Sequence, residues 1–395
     1  MLFKKRPSWI SQHLWLRMMR KRDRNKRWRR QIIRFFKSPK LAFSYARYRK
    51  AIEAANWPEV KNRTLELREL AVRTGDIRTI EELVLALERV GCYEESAQLW
   101  LAELSERTRT SSKEWRGEKL EGKTVLLDFN EPSHGLGVGY RCAHIVPEIA
   151  SRAKRTILVL EPRQVPTFRR SFPDLEIVTS RAAISDRDID YIITHTYLTH
   201  VFDLKRVSAL PPFHPLKTDP IKTAGLRKKY LEQASGKRPL IGLSWYSSHH
   251  GKDIPPLSEW RDFIARTDAT FVSLQYGNIA QDLQALGRDK VIFDEAIDQL
   301  KDMDSFAAQV AALDGIITII STLTNVGGAL NVPTAVLRDD WFRRNLPVLG
   351  DRLPWFPNMR VAGKDGRAWP PVLDESFSKL QALIAERSSA RGFRP

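Results

Sequence analysis

Lys123-Thr124-Val125-Leu126-Leu127-Asp128-Phe129 is an apolar run of strand length that opens onto a glycine-rich loop, and 142–150 beyond that loop reads as a helix. Thr156–Leu160 (TILVL), Leu175–Val178 and Tyr191–Thr194 (YIIT) follow as further short apolar runs separated by helical segments. Strands alternating with helices predict a parallel, doubly wound sheet. Pro211, Pro212 and Pro215 mark a linker, after which the alternation begins again. Its runs are Leu240–Trp245 (LIGLSW), Thr270–Leu274, Lys290–Phe293, Ile316–Ile320 (IITII) and Thr334–Leu337 (TAVL). The expected fold class is therefore α/β with two Rossmann-like domains, and a cleft between them should hold ligands at the carboxyl ends of the strands. Residues 374–386 are expected to form a closing helix.

Towards the N-terminus the pattern changes. Residues 41–110 are dense in Ala, Leu, Glu and Arg without strand alternation, and read as helices broken at Asn56-Trp57-Pro58 and at Gly91. Ala55–Val60 and Gly91–Ser96 look alike at an offset of 36. The second, flanked by Leu83, Leu87 and Trp100, resembles a tetratricopeptide repeat, in which the small residue before the aromatic makes the turn and Ser96 allows close helix packing. An ordinary helical hairpin is the alternative, because two degenerate units are visible where free-standing arrays need about three. The expected organisation is an arm at 1–40, a helical tetratricopeptide-like module at 41–114, a first Rossmann-like domain at 115–215, a second at 216–373, and a closing helix and tail at 374–395.

The 395 residues carry 65 Lys+Arg against 47 Asp+Glu, a net charge of +18. Residues 1–40 hold 15 basic side chains and one acidic one, Asp23, so the rest of the chain is close to neutral and is not a nucleic-acid coat. In this arm Leu14, Trp15, Met18 and Met19 recur at helical spacing, as do Trp28, Ile32, Phe35 and Phe36, around the polar block Arg20–Arg27. Basic residues among aromatics suit an anionic membrane surface. They also suit a solvated arm packed on its own body, and the same composition would serve a polynucleotide, with phosphates on Arg and bases on Trp, although nucleic acid is not an expected partner. No stretch approaches the ~18 apolar residues that span a bilayer, and SWISQHLWLRMMRKR is too interrupted for a secretory core. Cys92 and Cys142 make neither a disulfide framework nor a zinc cluster. A cytoplasmic protein is expected, peripheral on the inner face of the membrane if the arm binds lipid.

Several phrases carry a family resemblance: Phe271–Gly277 (FVSLQYG), Ile297–Leu313 (IDQLKDMDSFAAQVAAL) with IITIIS after it, Gly327-Gly328-Ala329-Leu330, and Leu353–Arg360 (LPWFPNMR). With Trp115–Glu118 and Gly135-Leu136-Gly137 they resemble bacterial tetratricopeptide proteins with a glycosyltransferase-like C-terminal half. That group is related to lipopolysaccharide heptosyltransferases and, more distantly, to O-GlcNAc transferases. The resemblance covers residues 45–375 and is strongest over 240–360. It implies a GT-B architecture, a nucleotide-sugar donor, a glycan, lipid-linked or protein acceptor, and no metal or other cofactor. The tetratricopeptide-like helices would offer a surface to a protein partner.

A donor diphosphate bound without metal needs backbone N–H groups at a helix start and a cation. Ser321–Asn325 (Ser321, Thr322, Thr324 and Asn325 among them) follow IITII and open a helix, with Gly327 and Gly328 allowing close backbone approach; a plain strand-to-helix turn with packing glycines is the alternative. Lys252, past LIGLSW, matches the family's basic position for phosphate, and Ser247, Gln275 and Tyr276 lie where the nucleotide is expected. Gly135, Gly137 and Gly139 shape the loop that faces the acceptor, although a lone GxGxG says little.

The departures from the family are as informative. Its loop aspartate is Val138 here, its strand-end aspartate is Ile320, its helix-opening histidine is Asn325, and the basic residue after LSW is Tyr246. Asn hydrogen-bonds phosphate but does not exchange protons near neutral pH. Substitute bases are His134 beside the glycine loop and His249 or His250 near Lys252; each also reads as an ordinary loop histidine. Asp186-x-Asp188, Asp188-x-Asp190 and Asp302-x-Asp304 look like metal-binding pairs, but Asp304 precedes SFAAQVAAL and reads as an N-cap. No His/Cys spacing fits zinc, and neither a GxxxxGK[ST] loop nor a GxSxG elbow is present.

Overall fold

The computed structural model describes residues 38–392 apart from 55, 90–91, 108–110, 131–134, 196–197, 199–212, 214, 237, 248–251, 288, 340–350 and 354. The arm up to residue 37, His134, His249 and His250 therefore lie outside the described residues. The chain divides into a helical unit reaching residue 107 and a larger α/β unit from 108 onward.

The helical unit holds α1 (Pro39–Glu53), α2 (Trp57–Thr74), α3 (Ile77–Arg89) and α4 (Tyr93–Glu103). The break expected at Asn56-Trp57-Pro58 is a helix start: the Asn56 side chain accepts from the Glu59 N–H at 3.3 Å, and Pro58 sits in the first turn, where its missing N–H costs nothing. Gly75 ends α2 at φ 61°, a left-handed position suited to glycine. Ser96 is fully buried, and its hydroxyl donates to the Val84 carbonyl at 2.9 Å, so α3 and α4 approach closely where the sequence has a small residue.

In the larger unit β1 (Thr124–Asp128), β2 (Arg155–Val159), β3 (Glu176–Val178) and β4 (Tyr191–Thr194) form a parallel sheet in the order β3-β2-β1-β4. A second parallel sheet has the order β10-β9-β8-β5-β6-β7. Its strands are β5 (Leu240–Ser244), β6 (Thr270–Ser273), β7 (Val291–Ile292), β8 (Gly315–Ile319), β9 (Thr334–Arg338) and β10 (Met359–Gly363). The fold is thus mixed α/β with two Rossmann-like sheets. The strand order reverses between β1 and β4 in the first sheet and between β5 and β8 in the second. At those points neighbouring connections leave in opposite directions and open a crevice at the carboxyl ends.

Two elements differ from expectation. β10 lies in LPWFPNMR and beyond, a stretch read as motif rather than strand. The helix expected over 142–150 begins earlier, as α5 (Gly137–Cys142), and continues after a 3₁₀ turn as α6 (Val146–Arg152). Among the described residues the remaining α-helices are α7 (Val165–Ser171), α8 (Pro220–Gln233), α9 (Leu257–Arg266), α10 (Ala280–Leu286), α11 (Met303–Ala311), α12 (Thr322–Ala329) and α13 (Trp369–Gly392). The last contains the predicted closing helix and exceeds it at both ends. It covers the second sheet, whose core joins Ile241, Leu243, Ile317, Ala335 and Leu337 to Trp260, Phe263 and Leu380.

Candidate functional site

The second sheet's switch point is where the phosphate-binding candidates meet. After β8 the chain turns at Ser321, whose hydroxyl accepts from the Leu323 N–H, while the Ser321 N–H donates to the Thr324 hydroxyl at 3.2 Å. Thr324 also donates to the Ile319 carbonyl at 3.4 Å. The two side chains are thus engaged in a capping box that fixes the positive end of α12 at the end of β8. Lys252, from the segment that follows β5, reaches the same place: its ammonium donates to Ser247 Oγ at 2.9 Å and to the Ile320 carbonyl. Burial lowers the ammonium to a pKa of about 8, although the nearby Asp339 carboxylate pulls the other way. Asp339 is itself buried and accepts from the Asp253 N–H at 2.8 Å.

Gly327 and Gly328 do not belong to this cradle. They lie in the second turn of α12 and face the protein interior. A Cβ on Gly327 would stand 2.8 Å from Thr334 Oγ1 and 2.9 Å from Ile316 Cδ1; one on Gly328 would stand 2.5 Å from the Phe356 ring. The glycines let α12 lie close on β8, β9 and a buried aromatic. Gly328→Ala is expected to destabilise the protein by about 1–3 kcal/mol through overpacking, read as a lower midpoint in urea; an unmoved midpoint would refute the packing role.

Gln275 is also corrected. It is 1% exposed, and its carboxamide is committed to the protein: Oε1 accepts from the Ser244 hydroxyl and the Trp245 and Tyr246 N–H groups, and Nε2 donates to the Tyr246 and Tyr276 carbonyls. It fixes the exits of β5 and β6 rather than docking a base. Tyr276 and Ser247 stay at those exits.

The glycine loop meets this site. Gly135 has open space around its Cα, whereas Gly137 and Gly139 are in α5. A Cβ on Gly137 would lie 2.6 Å from Asn325 Nδ2 and 3.5 Å from Thr322 Cα; one on Gly139 would lie 2.7 Å from the Gln164 carboxamide, which donates to the Leu136 carbonyl. One turn on, the Arg141 guanidinium lies 4.1 Å from the centroid of the Trp355 ring. The starts of α5 and α12 therefore adjoin, and Gly137, Thr322 and Asn325 form one surface. At the first sheet's switch point Asp128 pairs in register with Thr194, and His195 follows. Asp128 Oδ1 accepts from the Asn130 N–H at 3.1 Å. Only the strand register brings this carboxylate and imidazole to the same end of the sheet, and no spacing in the sequence signals it.

The aspartate pairs do not gather into a metal site: among the described residues no group of three His, Cys, Asp or Glu is placed to hold an ion. Asp186 pairs with Arg181, and Asp190 accepts from the Thr124 N–H and pairs with Lys123. The N-cap of α11 is Asp302, which accepts from the Ser305 N–H at 2.9 Å, and not Asp304 as expected. Asp304 is buried in the first turn, bound to Arg170 at 2.8 Å and Lys222 at 3.2 Å.

No family model matches the chain. It is 26% identical to Protein FlbA of Caulobacter vibrioides over 335 residues, 77% of this chain and 54% of that protein; the chain thus spans about half the length of the curated relative it matches. Among solved structures it is similar to a family 9 glycosyl transferase of Veillonella parvula (TM-score 0.47, 11% identity, 68% of this chain and 99% of that one). It is also similar to the ADP-heptose lipopolysaccharide heptosyltransferase II of E. coli (TM-score 0.44, 13% identity, 67% and 99%).

Proposed function

We propose that the chain is a metal-independent glycosyltransferase of GT-B type that moves a sugar from a nucleotide-sugar donor to a glycan, lipid-linked or protein acceptor. The observation that carries this is Lys252, half-buried at the switch point and held on the Ile320 carbonyl where α12 begins. A cation kept partly out of water beside a helix start is costly for an empty surface and suits a diphosphate leaving group. In the transfer the bond from the anomeric carbon to phosphate breaks. The acceptor oxygen bonds to that carbon, its proton passes to a base, and the diphosphate departs onto Lys252 and the first turn of α12. Thermal shift and calorimetry with uridine, guanosine, adenosine and cytidine diphosphate sugars test the donor site; binding of one class is expected, and binding of none would sink it.

A second reading, a degenerate scaffold that binds partners through its tetratricopeptide-like helices and basic arm, is favoured by Val138, Ile320 and Asn325, which do not act as acid or base near neutral pH, and by Tyr246, which stands where the family has a basic residue. Donor binding without hydrolysis or transfer in a broad acceptor mixture would select it. Under the first reading the arm's role is to hold the enzyme on an anionic membrane near a lipid-linked acceptor.

A further inference from the structure

Three consecutive residues leave β5 in three different ways. Trp245 turns inward, 2% exposed, with its indole N–H donating to Asp282 at 2.9 Å. Ser247 turns towards Lys252 and accepts from its ammonium. Tyr246, between them, turns outward and is 38% exposed. Its backbone is nevertheless held as firmly as a core residue, because one buried side chain takes both of its polar groups. Gln275 accepts from the Tyr246 N–H at 2.9 Å and donates to the Tyr246 carbonyl at 3.2 Å. The same Gln275 amide donates to the Tyr276 carbonyl at 3.3 Å, so the two tyrosines leave neighbouring strands, about 5 Å apart, from a shared anchor.

An aromatic ring presented to water on a backbone that cannot relax has already lost the entropy that binding would otherwise remove. Its place decides what it meets. Lys252 and α12 lie on the β8 side of β5, and Tyr246 and Tyr276 lie towards β6. A nucleotide with its phosphates at Lys252 thus carries its base across the end of β5 and onto Tyr246. Its phenol carries no positive charge for phosphate, and its exposed ring offers a base a face to stack on.

We propose that Tyr246 is a nucleobase-stacking residue of the donor site and that Gln275 is the positioning residue that holds it. This rests on the nucleotide-sugar reading above and names the subsite that reads the base.

Calorimetry of the full chain with each of the four nucleoside diphosphates and with inorganic pyrophosphate tests it. Tyr246→Ala is expected to weaken the preferred nucleoside diphosphate about tenfold or more, the usual loss on removing a stacked aromatic, and to leave pyrophosphate affinity within twofold. Tyr246→Phe and Tyr246→Trp should restore nucleotide binding. Gln275→Met should lower the same preference of nucleotide over pyrophosphate, and should lower it no further when Tyr246 is already Ala. Equal loss for pyrophosphate and nucleotide in Tyr246→Ala, or no loss at all, overturns the proposal. Loss of preference in Gln275→Met that adds fully to that of Tyr246→Ala overturns the positioning role. A wild-type protein that binds pyrophosphate and no nucleotide overturns the stacking and the donor reading together, whereas nucleotide binding indifferent to Tyr246 overturns the stacking alone.

Discussion

Lys252→Met should weaken nucleotide-sugar binding by about 10- to 150-fold while leaving the melting temperature unchanged or higher. The first effect is the loss of a charge-assisted hydrogen bond to phosphate, worth about 1.5–3 kcal/mol. The second follows from burial. An ammonium lowered from 10.5 to about 8 is held charged at neutral pH at a cost on the order of 3 kcal/mol relative to the unfolded chain. Methionine of similar length avoids that cost but gives up the bonds to Ser247 and Ile320, so the stability change is small or favourable. A lysine present only for structure would show the opposite pair of effects, a lower melting temperature with binding intact. The pH dependence has a definite sign. A bound diphosphate favours the protonated amine, so affinity is full below pH about 8. Above it each unit of pH costs up to tenfold until the amine of the complex also titrates. Isothermal titration between pH 6.5 and 9.5 should show that fall in wild type and a flat profile in Lys252→Met; binding equally tight in both proteins would remove Lys252 from the site.

The strands were legible because parallel strands are buried on both faces and read as unbroken apolar runs, as LIGLSW and IITII do. β10 escaped for the converse reason. Arg360 stands in its second position, 7% exposed, and keeps its guanidinium on the Pro357 and Met359 carbonyls and on Glu386. A buried arginine satisfied by neighbouring carbonyls and a distant carboxylate looks from sequence like a loop residue. α5 escaped because two glycines in six residues make a poor helix. Its start is set by the close approach to Asn325 and Gln164, which local propensity does not contain. In the candidate site, residue types and strand ends are readable from sequence, which is enough to name Lys252 and Ser321 as candidates. What lay beyond the sequence was which side chain faces inward. Gln275 and Tyr276 are adjacent and both can hydrogen-bond, yet only the distance across to Ser244 and Tyr246 makes the first a buried anchor. The same limit separates Gly137, at the adjoining helix starts, from Gly328, against Phe356.

Asp302 and Asp304 are a further pair that spacing could not rank, and the structure gives Asp304 the larger consequence. Its carboxylate, 11% exposed, lies on α11 beside the second sheet and takes Arg170 and the Thr167 hydroxyl from α7 beside the first sheet, together with Lys222 from α8. Burial alone would push the carboxyl up, but hydrogen bonds and charge from Arg170 and Lys222 outweigh it and hold the group below the ordinary aspartate range. Its stabilisation is therefore fully present above the unfolded-state pKa near 4 and is lost as pH falls through the lower folded value. Asp304→Ala removes the one anion shared by two cations. Breaking a buried pair costs about 3–5 kcal/mol, and the partial exposure of Arg170 and Lys222 places the expected loss at the lower end, about 3 kcal/mol. Arg170→Met on its own should cost less, because Lys222 still faces the carboxylate, and adding it to Asp304→Ala should cost almost nothing more. Urea midpoints for the two single variants and the double variant at pH 7 give that coupling directly. Because the cluster ties an element of each sheet to the other, Asp304→Ala should also weaken any ligand that needs both Gly137 and Lys252, while a ligand of the second sheet alone should bind as before. Additive losses in the double variant would mean that Arg170 and Asp304 stabilise the fold separately and that the contact between the sheets rests elsewhere.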